Sequence, residues 1–316
     1  MQAIKGILLL LRDTVAAFLQ DRATIYAAGL AYYTVFSLAP LLILVVTVVG
    51  LFIGRSAASE QIGFQMQMIV GAELGGFLEE LLGALNDRSS AGTITAVSLV
   101  GLLFGATGIF NQIKNSVNIL WGLVPRRPRG TRAYLQIARS RAIPFLMVFL
   151  FGLLFSAVVL IDTVLGLVQS RVAVFFPELG AALPSLGRVV VPALTFVTFA
   201  LVYKLLPDAH VRWRDIWPGA LLAALLFLVD RTLLVLFLDY SDTGSAFGAA
   251  GSLVVLLVWV FFSANILLLG AEFIKLYATR FGRAIRPGPM ARFEGDPIVE
   301  EGAPRPSGLS LDERVL

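Results

Sequence analysis

Six stretches of the chain stay apolar for roughly the 20 residues that a helix needs to cross a hydrocarbon core of about 30 Å. They are approximately 30–53, 94–121, 143–167, 189–206, 216–238 and 249–269. None alternates polar and apolar positions with the period of two that a barrel strand would show. A lipid-embedded segment must satisfy its own backbone groups, and a helix does so internally. The pattern therefore predicts an all-α, polytopic membrane bundle of six transmembrane helices, with further helices lying at the interface.

Two shorter stretches carry a helical stripe. Ile4, Ile7, Leu8, Leu11, Val15 and Phe18 recur at helical spacing, the mark of an amphipathic helix on a membrane face. Leu74, Phe77, Leu78, Leu81, Leu82 and Leu85 repeat the device in the first loop, with Glu73, Glu79 and Glu80 off the stripe. The basic segment Thr131–Arg141 is expected at the inner surface. From 283 to 316 the chain is rich in Pro, Gly and charge, and it reads as a disordered cytoplasmic tail after a membrane domain of 1–282. The apolar run Ile7–Leu11 is too short for a signal peptide and is followed by Asp13 and Asp21, so the N-terminal segment is read as retained.

Composition agrees. The 316 residues are 58% hydrophobic and only 15% charged, against about 25% charged in soluble domains, and the mean hydropathy is +0.84. The chain has no cysteine and one histidine, His210. Disulfides, thiolate metal sites and a histidine metal cluster are thereby excluded, and no metal or cofactor is expected. Asp208 and His210 share a short loop, but no nucleophile is matched to them. No Walker A, GxGxxG, HExxH or GxSxG motif is present, so the chain is not read as an enzyme.

Charge orients the spans. Of the 25 Lys and Arg residues, 19 fall in one alternating set of segments (both ends, the second loop and the fourth) and four in the other. Lys114 and Arg231 lie within spans. The positive-inside rule then places both termini in the cytoplasm. The pI near 9.6 suits loops beside anionic lipid rather than nucleic acid.

Polar groups inside the spans are the candidate functional residues, because at hydrocarbon depth they face protein or a watery cavity. Tyr33 and Ser37 share a helix face, with the hinge candidate Pro40 just beyond. Asn111, Asn115 and Asn118 follow at i, i+4 and i+7, with Lys114 adjacent. Asp230 and Arg231 sit near the middle of the fifth span, about 4.5 Å from the midplane by helical rise, where a charge costs roughly 3 kcal/mol on insertion scales. Neighbours at i and i+1 diverge by about 100°, so each needs a partner on another helix or water. Asp162 and Lys114 are the candidate partners. Lys204 and Glu272 lie near helix ends. These charges fit a buried ion network that fixes helix order, a route for substrate or protons, or snorkelling to the interface.

"AAGLAYYTVFSLAPLL" at Ala27–Leu42 resembles the first-span motif of the YihY/BrkB family of bacterial inner-membrane proteins. "GSAFGAAGSLVVLLVWVFFSANILLLGAEF" at Gly244–Phe273 is similar to that family's last span. The resemblance runs from roughly Ala3 to Tyr277. Ala39 departs from it, standing where many relatives have a bulky residue. The resemblance implies a six-span envelope protein with no agreed catalytic residues. An old ribonuclease label for the family is regarded as mistaken. Some relatives are linked to envelope integrity, serum resistance or lipid A precursor export, which implies transport of a lipid or other anionic solute.

The resulting expectation is a transporter or flippase-like protein moving an anionic or amphipathic solute through a polar cleft. Tyr33, Ser37, Asn111, Asn115 and Asn118 would line the path. Lys114, Lys204 and Arg231 would attract the anion, and Asp162, Asp230 and Glu272 would balance charge or carry a proton. The alternative is a non-transporting scaffold whose charges serve packing, with a ribonuclease as a remote third reading. Expected partners are membrane lipids and either a second copy of the chain or envelope proteins.

Overall fold

The computed structural model describes residues 2–70, 94–126, most of 142–164, 192–240 and 251–295. Eight helices appear there. They are α1 (Gln2–Gln20), α2 (Ala23–Ile53), α3 (Arg55–Val70), α4 (Ile94–Leu120), α5 (Ala142–Leu154), α6 (Pro192–Leu205), α7 (Trp213–Tyr240) and α8 (Gly251–Phe281). A helix thus stands at each of the six apolar stretches. One described stretch, Leu253–Phe281, is by itself long and apolar enough to cross a membrane; Ala23–Leu38, Ala142–Leu154 and Pro192–Leu205 are apolar but shorter.

Three helices outrun the apolar stretches that predict them, α7 by a few residues at its ends and α2 and α8 by more. α2 begins at Ala23, where Arg22 takes a left-handed backbone (φ 51°) to turn the chain out of α1. α8 continues past Leu269 to Phe281 because Glu272 and Ile274 still face inward and are fully buried. The pattern makes no prediction for α3. It starts after Gly54, whose φ of 86° favours glycine, packs on α2, and places Ala58 and Ile62 in an apolar cluster with residues of α2 and α8.

α2 packs against α4 and α8, α7 against α8, and α1 along α8. The main core joins Ala23, Ala27 and Leu30 of α2 to the last turns of α4, to Met147 and Val148, to α6, and to the facing sides of α7 and α8. Helix–helix contact in lipid rests on small residues that admit close approach. At Gly270 a Cβ would run into the Tyr203 hydroxyl and Ala223. That hydroxyl donates to the Leu267 carbonyl at 2.8 Å, and the Trp121 indole donates to the Ala271 carbonyl at 3.0 Å.

α1 carries apolar residues on two sides. Leu10 and Thr14 are buried and Phe18 packs on the core, whereas Ile7, Leu8, Val15 and Leu19 are exposed. Half of the predicted stripe therefore faces outward, as an interfacial helix requires.

Two expectations are corrected. The chain is mostly helical rather than all-α: β1 (Leu123–Pro125) pairs antiparallel with β4 (Ala291–Phe293), and β2 (Ala209–His210) with β3 (Arg286–Pro287). The segment from 283 is not uniformly a disordered tail, since Arg286–Phe293 supplies β3 and β4. Composition misleads here because backbone bonds to two other loops, together with the burial of Ile285 and Ala291, hold this segment. These ribbons define one end of the bundle. The stripe Leu74–Leu85, the segment Thr131–Arg141, Asp162 and residues 296–316 lie outside the described residues.

Candidate functional site

A cavity of about 820 Å³ lies at the ribbon end, between α5, the end of α6, the β2 segment and Gly288–Met290. Its α5 wall is apolar, with Leu146, Leu150 and Leu153; the facing wall brings Lys204, Asp208 and His210. An apolar wall facing polar and charged residues has the chemistry of an amphiphile site. The two walls follow from local sequence. α5 offers an unbroken apolar face, while α6 ends at Leu205 and hands over to Pro207-Asp208-Ala209-His210, a polar turn.

Lys204 is half-buried. Its ammonium donates to the Val211 carbonyl and lies 5.6 Å from the centre of the Trp213 ring. Both contacts stabilise a cation without neutralising it. Among the described residues no carboxylate pairs with it. His210 is exposed beside it.

Asp208 faces the other way. Its carboxylate lies 2.9 Å from the buried Lys114 ammonium and accepts from the Asn118 amide nitrogen at 3.1 Å. Its own backbone N–H donates to the Asn118 side-chain oxygen at 2.9 Å. Asn118 thus clamps the loop to α4 in both directions. Lys114 is held by Asp208 and not by Asp230.

The predicted asparagine strip divides on this contact. At 100° per residue, Lys114 and Asn118 turn toward Asp208, while Asn111 and Asn115 are exposed. Tyr33 is exposed too, with its ring 5.7 Å from that of Tyr32. Ser37 is buried but bonds the Thr34 carbonyl of its own helix at 3.1 Å, so it offers little to a path. α2 runs as one helix through Pro40.

Asp230 is half-buried and accepts from the Ser263 hydroxyl of α8 at 3.2 Å. Ser263 is the functional-site neighbour that the sequence reading missed, although its hydroxyl interrupts a strongly apolar run. Arg231 lies in α7, and its side chain is outside what is described. Glu272 is fully buried, 3.3 Å from the Lys275 ammonium. That ammonium also pairs with Asp21 at 3.0 Å and bonds the Leu120 carbonyl. One lysine therefore ties the α1–α2 turn, the end of α4 and α8 together. The structure thus gathers Lys114 and Asn118 around Asp208, leaves Lys204 among the cavity-lining residues, and keeps Asp230, Glu272, Tyr33, Asn111 and Asn115 apart from that contact.

The family model for Virulence factor BrkB matches residues 14–294. The chain belongs to the BrkB family. The match takes in every described helix except the first turns of α1, and it reaches past β4. This BrkB-family chain is 28% identical over 266 residues to a UPF0761 membrane protein of Stenotrophomonas maltophilia, covering 81% of this chain and 57% of the relative. A UPF0761 membrane protein of Xanthomonas campestris is 27% identical over 265 residues, with the same coverage of 81% and 57%. For a UPF0761 membrane protein of Aeromonas salmonicida the identity is 27% over 263 residues, covering 81% of this chain and 84% of the relative. The chain thus spans little more than half the length of the first two. No solved structure matches it. It is a membrane protein by family, and the relatives' names state no reaction or cargo.

Proposed function

We propose that the chain is a six-crossing inner-membrane transporter for an anionic amphiphile, with both termini and the ribbon end in the cytoplasm. The observation that carries this reading is the cavity at that end. It sets an apolar α5 wall against an ammonium, Lys204, that no described carboxylate neutralises. An acyl chain along Leu146–Leu153 would leave a phosphate or carboxylate head at Lys204 and His210. The asymmetric Lys and Arg distribution supports the orientation. Asp230 and Glu272, both on helices of the main bundle, are the groups suited to carry a coupling proton. Tyr33, Asn111 and Asn115, exposed on α2 and α4, are the further polar groups this reading assigns to the path.

The test is lipid movement in reconstituted vesicles, read with a fluorescent phosphatidylglycerol. Lys204→Gln is expected to slow transfer about tenfold and Lys204→Arg to retain most of it, since a cation at this position is worth roughly 1.4 kcal/mol or more. Equal rates for wild type and Lys204→Gln would remove the reading.

A scaffold is the second reading, and one observation favours it. Lys114, Asp208, Glu272, Lys275 and Asp21 are all engaged in contacts that join helices or loops to one another. A protein whose buried charge serves packing alone would show those pairs, and it would pass the vesicle assay as inert.

A further inference from the structure

The chain after α8 doubles back across the bundle end and seals one side of the cavity. Ile285, Gly288 and Ala291 are buried while Arg286 and Pro289 are exposed, so the segment lies flat. β3 bonds to β2 and β4 to β1. The Gly288 amide donates to the Asp208 carbonyl at 2.8 Å, the Arg126 amide to the Met290 carbonyl at 2.8 Å, and the Glu294 amide to the Gly122 carbonyl at 2.8 Å. Between these fixed points Gly288, Pro289 and Met290 form cavity wall. On the opposite side, Leu146 and Leu153 line the cavity and are also 62% and 60% exposed. The cavity is therefore open sideways across α5 and covered at the ribbon end.

The cover is held differently from the rest of the fold. The helices are joined by long interdigitated faces, whereas the strap adds only Ile285, Ala291 and Phe293 to the edge of the main core and is otherwise held by ribbons of two and three residues and by backbone bonds. Such bonds contribute little each against water, and short segments of this kind open before the core does. The strap's anchor is also chemically coupled to the bundle. Asp208 gives its carbonyl to Gly288 and its carboxylate to Lys114 and Asn118.

We propose that Ile285–Phe293 is a gate. Seated on β1 and β2 it closes the aqueous end of the cavity, and peeled from β2 it admits water-borne solute. The inference rests on the reading of the ribbon end as the aqueous one, and it assigns that site its entrance.

The native chain has no cysteine, so Leu150→Cys places a single thiol on the cavity wall. Protein in lipid nanodiscs is treated with a cationic trimethylammonium methanethiosulfonate, which reaches the thiol from water, and separately with lipid-soluble N-phenylmaleimide. Gly288→Pro removes the amide that Asp208 accepts from, and any Cβ there presses on the Asp208 carbonyl. In that background the cationic reagent is expected to react about tenfold faster, with N-phenylmaleimide changed less than about twofold. Arg126→Pro, which deletes the bond to Met290, is the second background should Gly288→Pro not fold. Three results overturn the gate. One is a cationic rate unchanged by either substitution. Another is a wild-type rate already equal to that of an exposed reference thiol at Arg286→Cys. The third is both reagents accelerating together, which reports a loosened bundle. The readout contains no transport step, so a transport-inactive protein with strap-dependent access keeps this inference and loses the other.

Discussion

At the level of the single residue, Asp208 decides what Lys114 is for. An intramembrane lysine suggests an anion site, yet this one is spent on the Asp208 carboxylate, far off in sequence. Removing one partner leaves the other buried and uncompensated, which costs about 3–5 kcal/mol, while removing both costs far less. Lys114→Met and Asp208→Leu are therefore each expected to lower the midpoint of thermal unfolding in detergent strongly. The double variant is expected to recover much of the loss, and additive losses would show that the pair is not coupled. The contact was not legible in sequence. Pro207-Asp208-Ala209-His210 reads as a turn, and only the tertiary fold sets it beside α4. Asn118, Lys114 and Asp230 were legible as inward-facing groups because a polar side chain in an apolar run must find a partner. Which partner it finds depends on helix neighbours that periodicity does not encode. Ser37 shows the limit of that inference, since its hydroxyl is satisfied by its own helix.

Among the elements, the helices at the six apolar stretches were legible because an apolar run in lipid satisfies its backbone groups as a helix, although among the described residues only Leu253–Phe281 is by itself long and apolar enough to cross a membrane. α3 was not, because Arg55–Val70 mixes Ser, Glu and Gln with apolar residues and shows no clear stripe. The ribbons were hidden for a different reason. Pro- and Gly-rich composition signals a chain without a core of its own, but Arg286–Phe293 borrows backbone partners from two other loops. The crossing of α6, α7 and α8 is set by Gly270. Gly270→Ala would press its Cβ on the Tyr203 hydroxyl and Ala223, an overpacking expected to cost roughly 1–3 kcal/mol. Tyr203→Phe alone loses the bond to Leu267 and is expected to cost about 1 kcal/mol. Combined, the two should be more stable than Gly270→Ala alone, measured as the unfolding midpoint in detergent. A double variant less stable than either would place the clash elsewhere.

For the whole molecule, the two ends differ in kind. The ribbon end collects the ion pairs of Lys114 and Lys275, the cavity and the strap beside the main core; among the described residues, α2, α3 and α8 share a second, purely apolar cluster. That asymmetry parallels the asymmetric Lys and Arg distribution, and it is the arrangement expected if solute enters from the basic side. Membership of the BrkB family fixes the membrane setting but leaves the cargo to the chemistry of the cavity. The decisive measurement is photocrosslinking from within it. A benzophenone amino acid replacing Leu150 in living cells, followed by mass spectrometry of the purified adduct, reads what occupies the apolar wall. The expected product is an amphiphile with an acidic head, its yield falling at least about fivefold in the Lys204→Gln background. Adducts that merely mirror the bulk lipid composition, in equal yield with and without the Lys204 cation, would contradict the account.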